Sequence, residues 1–198
     1  ILFAGFHELF SSFKRGITIF FLSLILILSL FSIYYLRSTS EDSEALLYFV
    51  IVLCISSDIG GYIFGKIFKW KKLTKISPKK TISGVFGSYF FSVICLVVFL
   101  NIWTRDFTEL FPAFINIRSF LVAIIFSTVA QFGDLTISYF KRLEKIKDTG
   151  KILPGHGGIF DRIDGLMFVV ILASLLYYLT KMELIQNPQT GTFLWLLL

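Results

Sequence analysis

Four aspartates stand out in this apolar sequence: Asp58, Asp134, Asp161 and Asp164. The chain is 56% hydrophobic and 16% charged, where soluble domains carry roughly a quarter of their residues as charges. Asp58 and Asp134 sit within apolar stretches. A carboxylate there costs about 2.5–3.5 kcal/mol on insertion scales and ordinarily faces a cavity or a partner. Asp161 and Asp164 are three residues apart and share a face if helical. Carboxylates gathered beside cations suit Mg²⁺, which one or two carboxylates hold together with water and substrate phosphates. A plainer reading of Asp161 and Asp164 is that acids favour a helix N-terminus.

Groups suited to phosphate lie around them. Ser77-Pro78-Lys79-Lys80-Thr81 combines hydroxyls and cations on a rigid turn, a combination that fits phosphate oxygens. Ser138, Lys141, Arg142 and Lys147 form a second group. Such a cluster ordinarily meets anionic lipid head groups, and Arg142 is best suited to bidentate binding. Asp134, Ser138 and Lys141 fall at i, i+4 and i+7, on one helical face. Pro154-Gly155-His156-Gly157-Gly158 is glycine-rich; its backbone can approach a ligand closely and aim N–H groups at a phosphate. It lacks the spacing of the Gly-x-x-x-x-Gly-Lys-Ser/Thr loop. His156 either donates to a phosphate or holds the loop by a hydrogen bond. The combination calls for a multiply anionic substrate, a divalent metal and access from a bilayer. It points to phosphoryl or nucleotidyl transfer onto a lipid. No Ser-His-Asp arrangement or nucleotide-fold motif competes with it, and nothing points to nucleic acid. Cys54 and Cys95 both lie in apolar blocks and read as buried thiols rather than a disulfide or zinc site. His7 reads as a packing or interface residue.

These residues are spaced along what reads as an all-α, polytopic transmembrane helix bundle. Gly16 to Leu36 carries no charge and is long enough for a hydrocarbon core of about 30 Å. Further spans are expected over Ala45–Phe68, Val85–Trp103 and Phe120–Phe140, and from Phe160 toward Leu179, making five. Gly61 and Gly65 read as a close helix-packing pair. Arg37 to Glu44 reads as a short acidic connection. Ile1 to Phe13 reads as the tail of a span or an interfacial helix. Residues 1–198 read as a single transmembrane domain, and the start at Ile1 suggests a fragment lacking N-terminal spans. Sorting the cations by side puts fifteen of the 19 Lys and Arg on one face. The positive-inside rule makes that face cytoplasmic. Ser77–Thr81, the end of the fourth span and Ser138–Asp164 all fall there.

The run Ser138-x-x-Lys141-Arg142, four residues, Lys147-Asp148-x-Gly150, then Leu153-Pro154-x-His156-Gly157-Gly158-x-x-Asp161-Arg162-x-Asp164 resembles the signature of phosphatidate cytidylyltransferases, or CDP-diacylglycerol synthases. Gln131-x-Gly133-Asp134, Ser77–Thr81 and Ser57-Asp58-x-Gly60-Gly61-Tyr62 are similar to further family motifs, in the expected order. Ile82-Ser83-Gly84 departs from the family's frequent Trp-Glu-Gly. Gly61 stands where Ala is common.

The resemblance implies that CTP and phosphatidate react to CDP-diacylglycerol and pyrophosphate, in phospholipid biosynthesis at the inner membrane. It also implies a dimer among membrane lipids and a paired Mg²⁺ and K⁺ site. On this basis Asp134, Asp161 and Asp164 are expected to hold metal and Asp58 to orient the polar cavity or a metal-bound water, all four as catalytic residues. Ser77, Lys79, Lys80, Thr81, Ser138, Lys141, Arg142, Lys147 and Arg162 are expected to bind phosphate-bearing substrate, with Gly155, His156, Gly157 and Gly158 at the nucleotide. The other readings are a transporter of anionic solutes, an enzyme using another lipid or polyprenol acceptor, and an inactive truncated homologue. The absence of an internal repeat and the gathering of polar groups at one face weigh against the transporter.

Overall fold

Among the described residues, five helices carry windows long and apolar enough to cross a membrane, which makes this an integral membrane protein. A computed structural model describes residues 2–74, 76–104, 117–150 and 158–186. The helices run α1 Leu2–Ser12, α2 Gly16–Thr39, α3 Glu41–Phe68, α4 Ile82–Thr104, α5 Ile117–Leu143 and α6 Phe160–Gln186. The five spans expected from hydropathy are α2 to α6. Lys75, Lys151 and the residues from Arg105 through Pro112 to Asn116 lie outside the described residues.

The acidic connection is shorter than the sequence suggested. α2 continues past Arg37, and only Ser40 separates it from α3. Ser40 is extended, at φ −167° and ψ 167°, and begins a capping box. Its Oγ accepts from Ser43 N at 3.3 Å while Ser43 Oγ accepts from Ser40 N at 2.9 Å. Glu41, Asp42 and Glu44 therefore occupy the first turn of α3, where carboxylates are favoured by the helix dipole.

Without a hydrophobic driving force between helices in lipid, close backbone approach has to supply the packing. α3 and α4 meet through glycines. A Cβ added at Gly60 would lie 2.8 Å from Phe91 Cβ and would also collide with the Gly87 carbonyl. Gly61 and Gly65 face Ser88, Thr81 and Gly84 on the same seam. Ser88 Oγ donates to Ser57 O, and Ser57 Oγ pairs with Ser127 Oγ on α5, each at 2.8 Å. Gly60→Val is expected to force α3 and α4 apart and cost about 1–3 kcal/mol as an overpacked seam, read as a lower midpoint of thermal unfolding in detergent.

Two buried clusters hold the bundle. Phe49, Leu53, Leu96, Leu100, Phe126, Val169 and Val170 tie α3, α4, α5 and α6 together. Leu9, Phe13, Leu22, Leu26, Ile137, Phe160 and Met167 tie α1 and α2 to α5 and α6. Outward-facing Phe20, Phe31, Ile55, Phe90, Val98 and Ile125 are exposed, as a lipid-facing surface requires. α1 thus docks on the bundle, and Leu9 and Phe13 are buried there.

Candidate active site

The site begins with the ends of two helices. α3 stops at Lys69, which takes a left-handed conformation at φ 48° while its N–H donates to Gly65 O at 3.3 Å. α4 starts after Thr81, whose Oγ1 accepts from Gly84 N at 3.1 Å, as an N-cap does. The chain between them is pinned rather than loose. Leu73 N donates to Lys80 O at 2.8 Å and Ile82 N to Lys71 O at 3.0 Å, around a Lys72–Thr81 bridge. Lys80 N closes a turn on Ser77 O at 3.1 Å. Pro78 is the second residue of that turn, where its fixed φ is pre-set. Arg142, at the end of α5, steadies the same loop, with Nε donating to Ile76 O at 3.4 Å.

The pinned loop closes one side of a cavity of about 300 Å³. α3 contributes Asp58, Gly61 and Tyr62; the loop contributes Ser77, Lys79, Lys80 and Thr81; α5 contributes Gln131 and Asp134. Gly84, Val85 and Ser88 of α4 complete the lining. Lys80 Nζ reaches across to Asp134 Oδ2 at 2.5 Å and to Gln131 O at 3.3 Å. Ser138 Oγ, one turn along α5, is 3.4 Å from Asp134 Oδ1. Three segments far apart in sequence thus bring together the carboxylates of Asp58 and Asp134, the ammonium groups of Lys79 and Lys80, and the hydroxyls of Ser77 and Thr81.

Asp164 sits beside Asp134, because α5 and α6 approach closely through small residues. A Cβ at Gly133 would lie 2.9 Å from Asp164 O, and one at Gly165 would lie 2.9 Å from Ala130 O. Asp164 Oδ1 accepts from Gly165 N at 2.9 Å. Two carboxylates on facing helices suit a hard divalent cation that keeps water and phosphate in its remaining positions.

The expected metal trio does not converge. Among the described residues, no group of three or more His, Cys, Asp or Glu could hold a metal ion. Asp161 is engaged elsewhere: Oδ1 takes the Lys141 ammonium at 2.7 Å, and Oδ2 accepts from Thr149 N and Gly158 N, each at 3.0 Å. Lys141, expected to bind phosphate, is buried in that ion pair. These two residues hold the start of α6 to the end of α5. The chain leaves α5 through Lys145 at φ 58°. There Ile146 N donates to Lys141 O at 3.0 Å and Lys145 N to Arg142 O at 3.1 Å, the paired bonds of a Schellman ending. Lys147 and Arg162 are exposed at this face. Gly155, His156 and Gly157 lie outside the described residues, and Gly158 is buried beside Asp161.

Comparison with known proteins bears directly on this arrangement. A family model described as "Cytidylyltransferase family" matches residues 2–180. The chain belongs to that family. Relatives named phosphatidate cytidylyltransferase include one from Staphylococcus haemolyticus (strain JCSC1435), 40% identical over 151 residues, covering 72% of this chain and 52% of the relative. One from Staphylococcus epidermidis (strain ATCC 12228 / FDA PCI 1200) is 38% identical over 151 residues, with the same coverage. One from Staphylococcus aureus (strain COL) is 40% identical over 145 residues, again covering 72% and 52%. The chain spans about half the length of the curated relatives it matches. Glu8 is a residue to which the sequence alone assigned no function. It is buried, and its carboxylate meets Thr149 and the backbone at the start of α6. Its signal was available: an acid inside the apolar segment before Phe13.

Proposed function

We propose that the cavity carries cytidylyl transfer from CTP to phosphatidate, giving CDP-diacylglycerol and pyrophosphate. The observation that carries this reading is the Lys80–Asp134 pair, 2.5 Å apart in the wall of a cavity that Asp58 also lines. Family membership supplies the cytidylyl chemistry, and the names of the relatives suggest the lipid acceptor. An apolar exterior suits a lipid acceptor, and a lysine-lined cavity suits a triphosphate.

In this reading a phosphate oxygen of phosphatidate attacks the α-phosphorus of CTP. The new P–O bond forms as the bond from the α-phosphorus to the bridging oxygen breaks, and pyrophosphate leaves with the electron pair. Both substrates are anions, so their approach has to be screened. Lys79 and Lys80 lie where they can do this, and the pinned loop holds them in place without further ordering. Lys80 exchanges part of its contact with Asp134 for phosphate oxygen. Ser77 and Thr81 offer hydroxyl donors beside the lysines. Asp58 keeps the far wall of the cavity polar. Asp134 and Asp164 are the pair assigned to Mg²⁺, which when bound supplies charge neutralisation and polarisation of phosphate oxygens. K⁺ is left without an assigned donor set. The excess of cations on this side supports a cavity that opens to the cytoplasmic face.

The test is pyrophosphate release from CTP by the purified protein in mixed micelles. Release is expected to need both Mg²⁺ and phosphatidate. Release that proceeds equally without phosphatidate, or that prefers a polyprenyl phosphate, overturns the assignment.

A further inference from the structure

The short helix α1 reaches into the segment that joins α5 to α6. Glu8 of α1 is buried. It accepts from Thr149 Oγ1, from Ile159 N at 2.8 Å and from Phe160 N at 3.4 Å. Ser12 Oγ of the same helix donates to Thr149 O. In return Glu144, just past α5, accepts from Lys14 N at 3.3 Å and Arg15 N at 3.1 Å, at the junction of α1 and α2. Two points inside the signature run are therefore fastened to α1. Thr149 is one, and Ile159 with Phe160 at the start of α6 is the other.

The glycines beside those points fit the same carboxylate. A Cβ at Gly150 would lie 3.1 Å from Glu8 Cδ. A Cβ at Gly158 would lie 2.6 Å from Glu8 Cδ and would collide with its Oε1 and with Thr149 Oγ1. Glu8 thus fills the space that side chains would otherwise take. As an anion at the first amides of α6, it also satisfies donors that a helix N-terminus leaves unpaired. Asp161 spans the same two points, with Thr149 N and Gly158 N on one oxygen. Two carboxylates from different helices hold one closure, and only the Asp161 half belongs to the signature.

We infer that Glu8 is a positioning residue for the phosphate site: it holds Thr149 against the start of α6, and so fixes the first turns of the helix that carries Asp161 and Asp164. The inference rests on the cytidylyl-transfer reading of the site. Glutamine is the informative replacement, since it keeps the shape and turns one acceptor into a donor facing donors. Glu8→Gln is expected to raise the KM for CTP roughly tenfold or more, because small displacements at a reacting centre carry costs of that size. Destabilisation alone would reduce the amount of active enzyme and leave KM unchanged. His7→Ala, on the exposed side of α1, is expected to behave as the parent.

Amide hydrogen exchange over residues 158–161 supplies a reading that needs no substrate. It is expected to accelerate in Glu8→Gln while α3 and α4 stay protected. Unchanged exchange there, or accelerated exchange with an unchanged KM in an active parent, overturns the inference. A parent that releases no pyrophosphate with phosphatidate, combined with accelerated exchange in the variant, upholds the clamp and overturns the reaction instead. If Glu8→Gln fails to fold, Thr149→Val removes one donor to the same carboxylate. It is expected to raise the KM for CTP in the same direction, and an unchanged KM overturns the inference.

Discussion

Asp134→Asn is expected to lower kcat/KM for phosphatidate-dependent pyrophosphate release by roughly 10³-fold or more, about 4 kcal/mol of transition-state stabilisation. Asp134 holds Lys80 across the cavity at 2.5 Å and stands beside Asp164. Asparagine preserves the shape but removes the charge that orients the ammonium and, in the proposed reading, half of the metal seat. The loss is expected to persist at saturating CTP, because the missing interaction belongs to the reacting phosphates rather than to nucleotide binding in general. A Mg²⁺ titration supplies the second measurement: the variant is expected to need far more Mg²⁺ for any residual rate. Near-parental turnover at ordinary Mg²⁺ would remove Asp134 from both roles. Asp161→Asn provides the contrast. Its oxygens serve Lys141, Thr149 and Gly158, so its dependence on Mg²⁺ is expected to stay close to that of the parent.

The second large effect concerns stability. Lys141→Met is expected to destabilise the protein by about 3–5 kcal/mol, the usual cost of removing one partner from a buried ion pair. The side chains of Lys141 and Asp161 are only 11% and 12% exposed, and the pair joins the end of α5 to the first turn of α6 at 2.7 Å. Removing the cation leaves a carboxylate with two amide donors and no counter-charge. Lys141→Met with Asp161→Asn is expected to recover part of the loss, because no unpaired charge then remains buried. Thermal unfolding in detergent reads both variants. The result also separates two roles for Lys141. If it bound phosphate instead, the single variant would keep its unfolding midpoint and raise the KM for substrate.

Much of the architecture was legible before any coordinates. In a bilayer every backbone polar group must be satisfied within its own segment. Uncharged runs such as Gly16 to Leu36 therefore had to be helices, and the start of α6 near Phe160 followed from the length a span requires. Pro78 marks its turn in the sequence, whereas Thr81 read only as a hydroxyl for phosphate; because it caps the helix, α4 begins at Ile82 rather than at Val85. The acidic run from Glu41 to Glu44 was read as a connection because its composition is that of a loop. The Ser40–Ser43 capping box makes it helical, and only the backbone geometry shows that both hydroxyls are used.

The aspartates show where sequence stops. Their number and their company of cations called for an anion and a metal, and that much needs only residue types and spacing. Spacing of three along α6 places Asp161 and Asp164 on neighbouring parts of one helix surface but says nothing of what each faces across it. The close approach at Gly133 and Gly165 set Asp164 beside Asp134, while Lys141 and two backbone amides took Asp161. By itself the sequence determined a membrane bundle, one face rich in cations, and the set of residues available for phosphate chemistry, since hydropathy and charge act locally along the chain. Only the tertiary structure decided which carboxylates meet, which cations are already paired, and that Glu8 of α1 fastens the segment between α5 and α6. Those are contacts between residues far apart in sequence, and they depend on helix crossings that no local pattern encodes.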